Sequence, residues 1–306
     1  MSDAHTHSHG SDTPARRIFI ALVLTLGTML LEIVGGLMSG SLALLSDAGH
    51  MMADAGALAL ALVAQQVAAR PRTVRRTYGS RRAETLAAFV NGIALGVTAV
   101  WVILEAVERW QTPKAINAPI MLAVAVVGLI VNLVAAWTLS RRGAPHNANT
   151  RAALAHVLSD AAGSGAAILA GALIVGFGWT RADPAISIAL AVLILWSAWK
   201  LVARTAGVLM EGAPAGVPLD ELERTIRATP GVADLHDLHA WTISEGFDIV
   251  TVHVVLDGAR HGTDVAREVG DRVRDRHQIV HVTVQPEPPV VKPVLHPVMV
   301  RRRRQE

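Results

Sequence analysis

Apolar residues dominate the chain from Ile18 to Leu209 and thin out beyond it. A helix that crosses a bilayer needs about 20 largely apolar residues. The apolar stretch divides into segments of that size: Ile18–Met38, Leu42–Ala68, Ala83–Trp110, Ile116–Leu139, Arg151–Phe177 and Pro184–Val202. The runs Ile120–Leu133 and Ile186–Leu195 are the purest, while the second and fifth segments carry ionisable groups. After Gly212 the periodicity changes. Pro218–Thr229 predicts an amphipathic helix with Asp220, Glu221 and Glu223 in its first turns, where the helix dipole favours acids. Val232–Ile243 and Phe247–Leu256 predict strands joined by a tight turn at Ser244–Glu245–Gly246. Thr263–Arg276 predicts a second helix with Val265, Val269 and Val273 on one face, and Ile279–Val284 a third strand. The pattern describes an α-helical membrane protein with six transmembrane helices and a small α+β domain of order αββαβ. By this division residues 1–16 are a His-containing segment, 17–209 the membrane domain, 210–288 the second domain, and 289–306 a Pro- and Arg-rich flexible tail.

Composition agrees with that division. Of 306 residues 52% are hydrophobic and 17% charged, with a mean hydropathy of +0.40, which excludes disordered, collagen-like and nucleic-acid-binding classes. The basic pI, near 9.9, comes from arginines gathered in particular loops. Arg16 and Arg17 precede the first segment, Arg70 to Arg82 separate the second and third, and Arg141, Arg142 and Arg151 separate the fourth and fifth. The alternate loops hold only Lys114 and Arg181. The positive-inside rule therefore places both termini in the cytoplasm. Short loops without a targeting extension suggest a bacterial inner membrane, and Arg301–Arg304 suit anionic lipid. Trp101, Trp110, Trp137, Trp179, Trp196 and Trp199 read as interface anchors.

Cysteine is absent, so any metal is held by His, Asp or Glu. Ionisable side chains inside membrane helices are costly and mark function by default. The second segment carries Asp47, His50 and Asp54, and the fifth His156 and Asp160. Both contain His-x-x-x-Asp, and a spacing of four puts imidazole and carboxylate on one helix face. One such pair is explained by an interhelical hydrogen bond. Two, on separate membrane helices flanked by small residues that permit close approach, are better explained by one shared ion. Two imidazoles and two carboxylates suit tetrahedral Zn²⁺; copper(II), nickel and cobalt remain open. Protons compete with metal for imidazole, so His50 and His156 are candidate proton carriers as well as ligands. Asp47, one turn before His50, either lines the path or makes a hydrogen bond between helices. Glu105 reads as reaching the interface, and Asn91 and Asn132 as packing contacts.

Ser46-Asp47-Ala48-Gly49-His50-Met51-Met52-Ala53-Asp54, paired with His156-Val157-Leu158-Ser159-Asp160, resembles the cation diffusion facilitator family. Gly35-Gly36, Ser39–Leu44, Arg82-Ala83-Glu84 and His236-Asp237-Leu238-His239-Ala240-Trp241 extend the resemblance along nearly the whole chain. It implies a homodimer that exports a divalent cation from the cytoplasm in exchange for protons by alternating access. It also implies a ferredoxin- or metallochaperone-like cytoplasmic domain. The transport ligands would be His50, Asp54, His156 and Asp160, in the zinc-preferring branch; relatives with Asp at the position of His50 accept cadmium more readily. By the same resemblance His236, His253 and Glu287 form a cytoplasmic zinc site, completed in some relatives from the N-terminal segment, where His5, His7 or His9 could serve. Arg82 and Glu211 match an ion pair near the membrane–tail junction. Relatives with a metal in the loop between the second and third helices have histidines there, whereas this chain has Tyr78-Gly79-Ser80-Arg81-Arg82, so no metal is expected in that loop.

In a regular strand alternate residues face opposite sides, so His236 and His239 are expected to point apart and not to share a site. The competing functional class is a membrane-embedded zinc sensor or scaffold that binds without moving the ion. A hydrolase is disfavoured because His-Glu-x-x-His is absent and Gly163-Ser164-Gly165 reads as a close-packing patch. A simple channel is disfavoured because four tight ligands slow ion exit.

Overall fold

A computed structural model describes residues 14–140 and 148–289. The described residues form two compact units that divide between Thr205 and Ala206. Among the described residues, six helices are long and apolar enough to cross a membrane. They are α1 (Pro14–Ser39), α2 (Leu42–Ala68), α3 (Arg82–Gln111), α4 (Ala118–Ser140), α5 (Ala148–Phe177) and α6 (Ala182–Leu209).

The first unit is packed the way a lipid-exposed bundle must be. Lipid supplies no hydrophobic drive between helices, so small residues gather inside where backbones approach closely. Ala43, Ala48, Ala99, Ala106, Ala125, Ala135, Ala167, Ala170 and Ala191 are buried, while Leu37, Val97, Leu104, Leu193 and Trp199 face outward. A β-carbon on Gly35 would overlap Val124 of α4, and one on Gly171 would overlap Leu122. All six tryptophans read as anchors are exposed. Arg181 lies over the Trp110 ring and Lys200 over the Trp196 ring. Glu105 accepts from both Arg109 and Lys114 at 2.8 Å, so its charge is paired within the chain.

Helix ends differ from the sequence reading where a side chain caps. α4 begins at Ala118 because Asn117 Oδ1 accepts from Ile120 N. α6 begins at Ala182, with Pro184 in its first turn, a position where proline costs no hydrogen bond. Gly40, with φ of 72°, makes the α1–α2 turn.

The second unit contains α7 (Leu219–Arg227), β1 (Val232–Ser244), β2 (Phe247–Leu256), α8 (Gly262–His277) and β3 (His281–Glu287). The order αββαβ is the one the sequence predicts. β2 lies central, antiparallel to β1 and parallel to β3. Leu222 and Ile226 from α7 and Val265, Val269 and Val273 from α8 pack against Leu235, Val250, Val252 and Val254. Gly246, with φ of 72°, permits the two-residue hairpin.

One expectation fails here. His236 pairs with His253 and His239 with Thr251, so Asp237 and Leu238 oppose the single residue Val252. The extra residue is a bulge, and Asp237 takes φ of 49°. Alternation is broken at that point, and His236 and His239 emerge on the same sheet face instead of pointing apart. β3 also runs three residues further than predicted, so Glu287 is its last residue and lies in register with Val255.

Candidate metal centre

α2 starts where Ser41 Oγ accepts from Leu44 N, and from there the helix carries Asp47, His50 and Asp54 inward at one-turn intervals. α5 packs against α4 and carries His156, Asp160 and Ser164. Glycines on α5 and α4 leave room for carboxylates of the facing helices. A β-carbon on Gly163 would overlap the carboxylate of Asp47, and one on Gly128 would crowd Glu32 Oε1 and Ser164 Oγ.

The two His-x-x-x-Asp pairs meet. Asp54 Oδ2 lies 3.6 Å from His50 Nε2 on its own helix and 3.4 Å from His156 Nδ1 on α5. His156 Nε2 lies 3.7 Å from Asp160 Oδ2. A tetrahedral zinc with bonds of about 2.0–2.1 Å holds neighbouring donors about 3.3–3.4 Å apart. Each contact is near that spacing pair by pair, but the donors do not close on one point: among the described residues, the group whose ligand atoms all lie within 4.8 Å of one another is in the second unit. His156 spans both carboxylates with its two ring nitrogens, so an ion that takes one nitrogen leaves the other facing a carboxylate.

Asp160 is fully buried, and neither of its oxygens has a hydrogen-bond partner; His50 Nδ1 is also buried without one. Unpartnered buried charge is costly, and a chain tolerates it where an ion or proton arrives in use. Asp47 is buried with Oδ2 unpartnered. Glu32 is fully buried as well, its Oε1 accepting from Ser164 Oγ at 3.2 Å. Asn132, read as a packing contact, is fully buried with neither amide atom bonded. Asn91 lines a cleft between α2, α3 and α6.

In the second unit Glu287 joins two histidines. Its Oε2 lies 3.0 Å from His236 Nε2, and its Oε1 lies 2.9 Å from His253 Nδ1. The imidazole rings are 5.1 Å apart. Asp237, which the sequence reading passed over, lies beside them: His236, Asp237 and His253 each offer a ligand atom within 4.8 Å of the others. The bulge turns Asp237 to this face, and period-two alternation cannot reveal that. His5, His7 and His9, named as completing ligands, lie outside the described residues, as do Arg301–Arg304. Arg82 opens α3 and Glu211 follows α6, in different units.

The hydrogen bond with Glu287 raises His236 above its ordinary 6.5, and the same bond, with that from His253, lowers Glu287 below 4.5. The raised imidazole favours the folded pair fully below pH 6.5, and that contribution is lost as pH rises through the raised value. Glu287 contributes above pH 4.5 and fails as pH falls through its lowered value. Metal must displace the His236 proton. With chelator present, the His236 ring is expected to titrate above 6.5 by NMR, and Glu287→Gln to bring it down; an unmoved titration refutes the coupling.

Comparison with known proteins fits this picture. Residues 18–210 match the family model described as cation efflux transmembrane domain, and residues 214–289 the one described as cation efflux protein, cytoplasmic domain. The zinc transporter ZitB of Escherichia coli is 43% identical over 290 residues, covering 93% of this chain and 92% of that protein. The cadmium, cobalt and zinc/H(+)-K(+) antiporter of Bacillus subtilis is 38% identical over 285 residues, covering 92% and 91%. The metal cation efflux system protein CzcD of Cupriavidus metallidurans is 41% identical over 287 residues, covering 93% and 90%. The chain belongs to the cation efflux family, also called the cation diffusion facilitators. It is a multi-pass integral membrane protein and a transporter of metal cations, not an enzyme.

Proposed function

We propose that the protein exports Zn²⁺ from the cytoplasm in exchange for protons, by alternating access at one intramembrane site formed by His50, Asp54, His156 and Asp160. The observation that carries this is Asp54 Oδ2, which lies within 3.4–3.6 Å of imidazoles from two different helices. Two imidazoles favour zinc over magnesium, calcium or manganese. Loading turns the His156 ring from a bridge between carboxylates into a ligand. Unloading is proton uptake by the imidazoles, because a ring nitrogen holds either a proton or the metal. Asp47, one turn from His50, receives or passes the ion on its way. The antiport names of the relatives lend support to proton coupling.

In this reading the arginine-rich loops and both termini face the cytoplasm of a bacterial inner membrane, and two copies pair as a homodimer. His236, His253 and Glu287, with Asp237 added, hold a second zinc in the cytoplasmic domain. The test is zinc flux in proteoliposomes of purified protein. An imposed pH gradient is expected to drive zinc against its own gradient, with protons moving oppositely. Saturable zinc binding with no gradient-driven flux would favour the sensor or scaffold.

A further inference from the structure

The turn between α1 and α2 is held from several sides, most firmly by a residue outside the ligand set. Asp183, in the first turn of α6, is fully buried. Its carboxylate accepts from Ser41 Oγ at 2.6 Å, Leu42 N at 2.8 Å and Ala43 N at 3.1 Å. The first N–H groups of a helix have no partner within it. Here a charged group from another helix supplies one, and such charge-assisted bonds are about twice as strong as neutral ones. The positive ends of two helix dipoles, α2 and α6, thus meet at one carboxylate.

Capping alone does not explain this. Ser41 already caps α2 by accepting from Leu44 N. What Asp183 adds is a link across the bundle, between residues about 140 positions apart in the chain. Its surroundings reinforce the closure. Arg109 Nη1 donates to Gly40 O at 2.5 Å, and Asn117 N donates to Ser39 O at 2.8 Å. Leu42, Val102, Ala106 and Ala191 pack into one apolar cluster between α2, α3 and α6. Toward the other end of α2 the same three helices border a cleft of about 470 Å³, whose lining includes Leu58, Gln65, Glu84, Asn91 and Leu201. These three helices are therefore tied at the Ser41 end, while a mainly apolar cleft separates them near the other end of α2.

We propose that Asp183 is a positioning residue that latches the start of α2 to α6. The latch closes the Ser41 end of the cation path and sets the depth and rotation of α2. It thereby fixes where Asp47, His50 and Asp54 stand, with His50 about 10 Å along the rod from Ala43. Release of the cation at that end requires the three bonds to be exchanged for water. A polar latch suits this, because opening it into water replaces each bond rather than stranding it. The inference rests on the alternating-access reading above and adds to it the element that holds one face shut.

The absence of cysteine makes the test direct, since an introduced thiol is the sole one. Ser46→Cys reports from the buried, Ser41-side part of α2, and Ala64→Cys, also buried, reports from its other end. Each is probed with a membrane-impermeant maleimide in vesicles of both orientations. Losing a charge-assisted bond is expected to shift the closed–open balance by about tenfold or more. Asp183→Asn should therefore speed labelling of Ser46→Cys by about tenfold from the Ser41 face and leave Ala64→Cys unchanged. Asp183→Glu, which keeps the charge, should restore part of the protection. Unchanged labelling at Ser46→Cys, or equal rises at both reporters, overturns the latch. If Asp183→Asn fails to reach the membrane, Ser41→Ala removes one of the three bonds and should give the same one-sided change; no such change again overturns it. Labelling does not depend on transport. A wild-type protein without zinc flux but with the one-sided labelling would remove the transport reading and leave the latch standing.

Discussion

Asp160→Asn is expected to lower gradient-driven zinc flux by at least about 100-fold, since weakening even an outer partner of a metal ligand costs 10- to 100-fold. Asp54→Ala should do the same. The asparagine variant is the more informative. Asp160 is fully buried with neither oxygen hydrogen-bonded, and the His156 ring lies 3.7 Å from it. The amide has the same shape, fits the same space and carries no charge to desolvate. The fold should therefore be kept or slightly stabilised while the anionic ligand is lost. Thermal unfolding of the purified variant should match or exceed wild type, and calorimetric zinc titration should lose the intramembrane site. Asp54 Oδ2 lies near imidazoles on both helices, so its removal deletes the carboxylate–imidazole contact between α2 and α5. Wild-type zinc/proton exchange by either variant would reject the site.

The parts of this protein that were legible in the sequence are those governed by local spacing. Six spans follow from runs of apolar residues, because lipid leaves no other choice for a backbone that must satisfy itself. The two His-x-x-x-Asp pairs follow from helical periodicity, and the approach of Asp54 to His156 from the small residues beside them. Val265, Val269 and Val273 are buried as their spacing predicts. What stayed hidden depends on contacts distant in sequence or on broken periodicity. Asp183 falls just outside the predicted segment Pro184–Val202, and nothing local says that it binds the start of α2. The bulge at Asp237 reverses the facing of His239 and brings a further carboxylate to the histidines; a rule of strict alternation misplaces both. Asn117 shortens α4 by capping, which a hydrophobicity pattern does not register.

His50→Asp is expected to change which ion is carried more than how fast, lowering the zinc-to-cadmium flux ratio by about tenfold, equivalent to about 1.4 kcal/mol of relative affinity. His50 Nε2 lies 3.6 Å from Asp54 Oδ2. A carboxylate in its place would leave one imidazole and three carboxylates around the ion. Nitrogen donors favour zinc, and oxygen-rich sets accept a broader group of cations. The introduced carboxylate would also sit one helical turn from Asp54, where like charges repel. The unloaded site would then be less comfortable than in wild type and would rely more on a cation to bridge it. A second consequence concerns protons. Imidazole is the side chain whose charge ordinarily changes between pH 5 and 8, and a carboxylate in water is not. With one imidazole fewer, flux should respond less steeply to pH in that interval. Competition among zinc, cadmium, cobalt and nickel in proteoliposomes, at two pH values and with wild type alongside, reads both effects. Identical ion ratios and an identical pH response in the variant would mean that His50 does not touch the transported ion. The discrimination would then have to arise from Asp54, His156 and Asp160 alone.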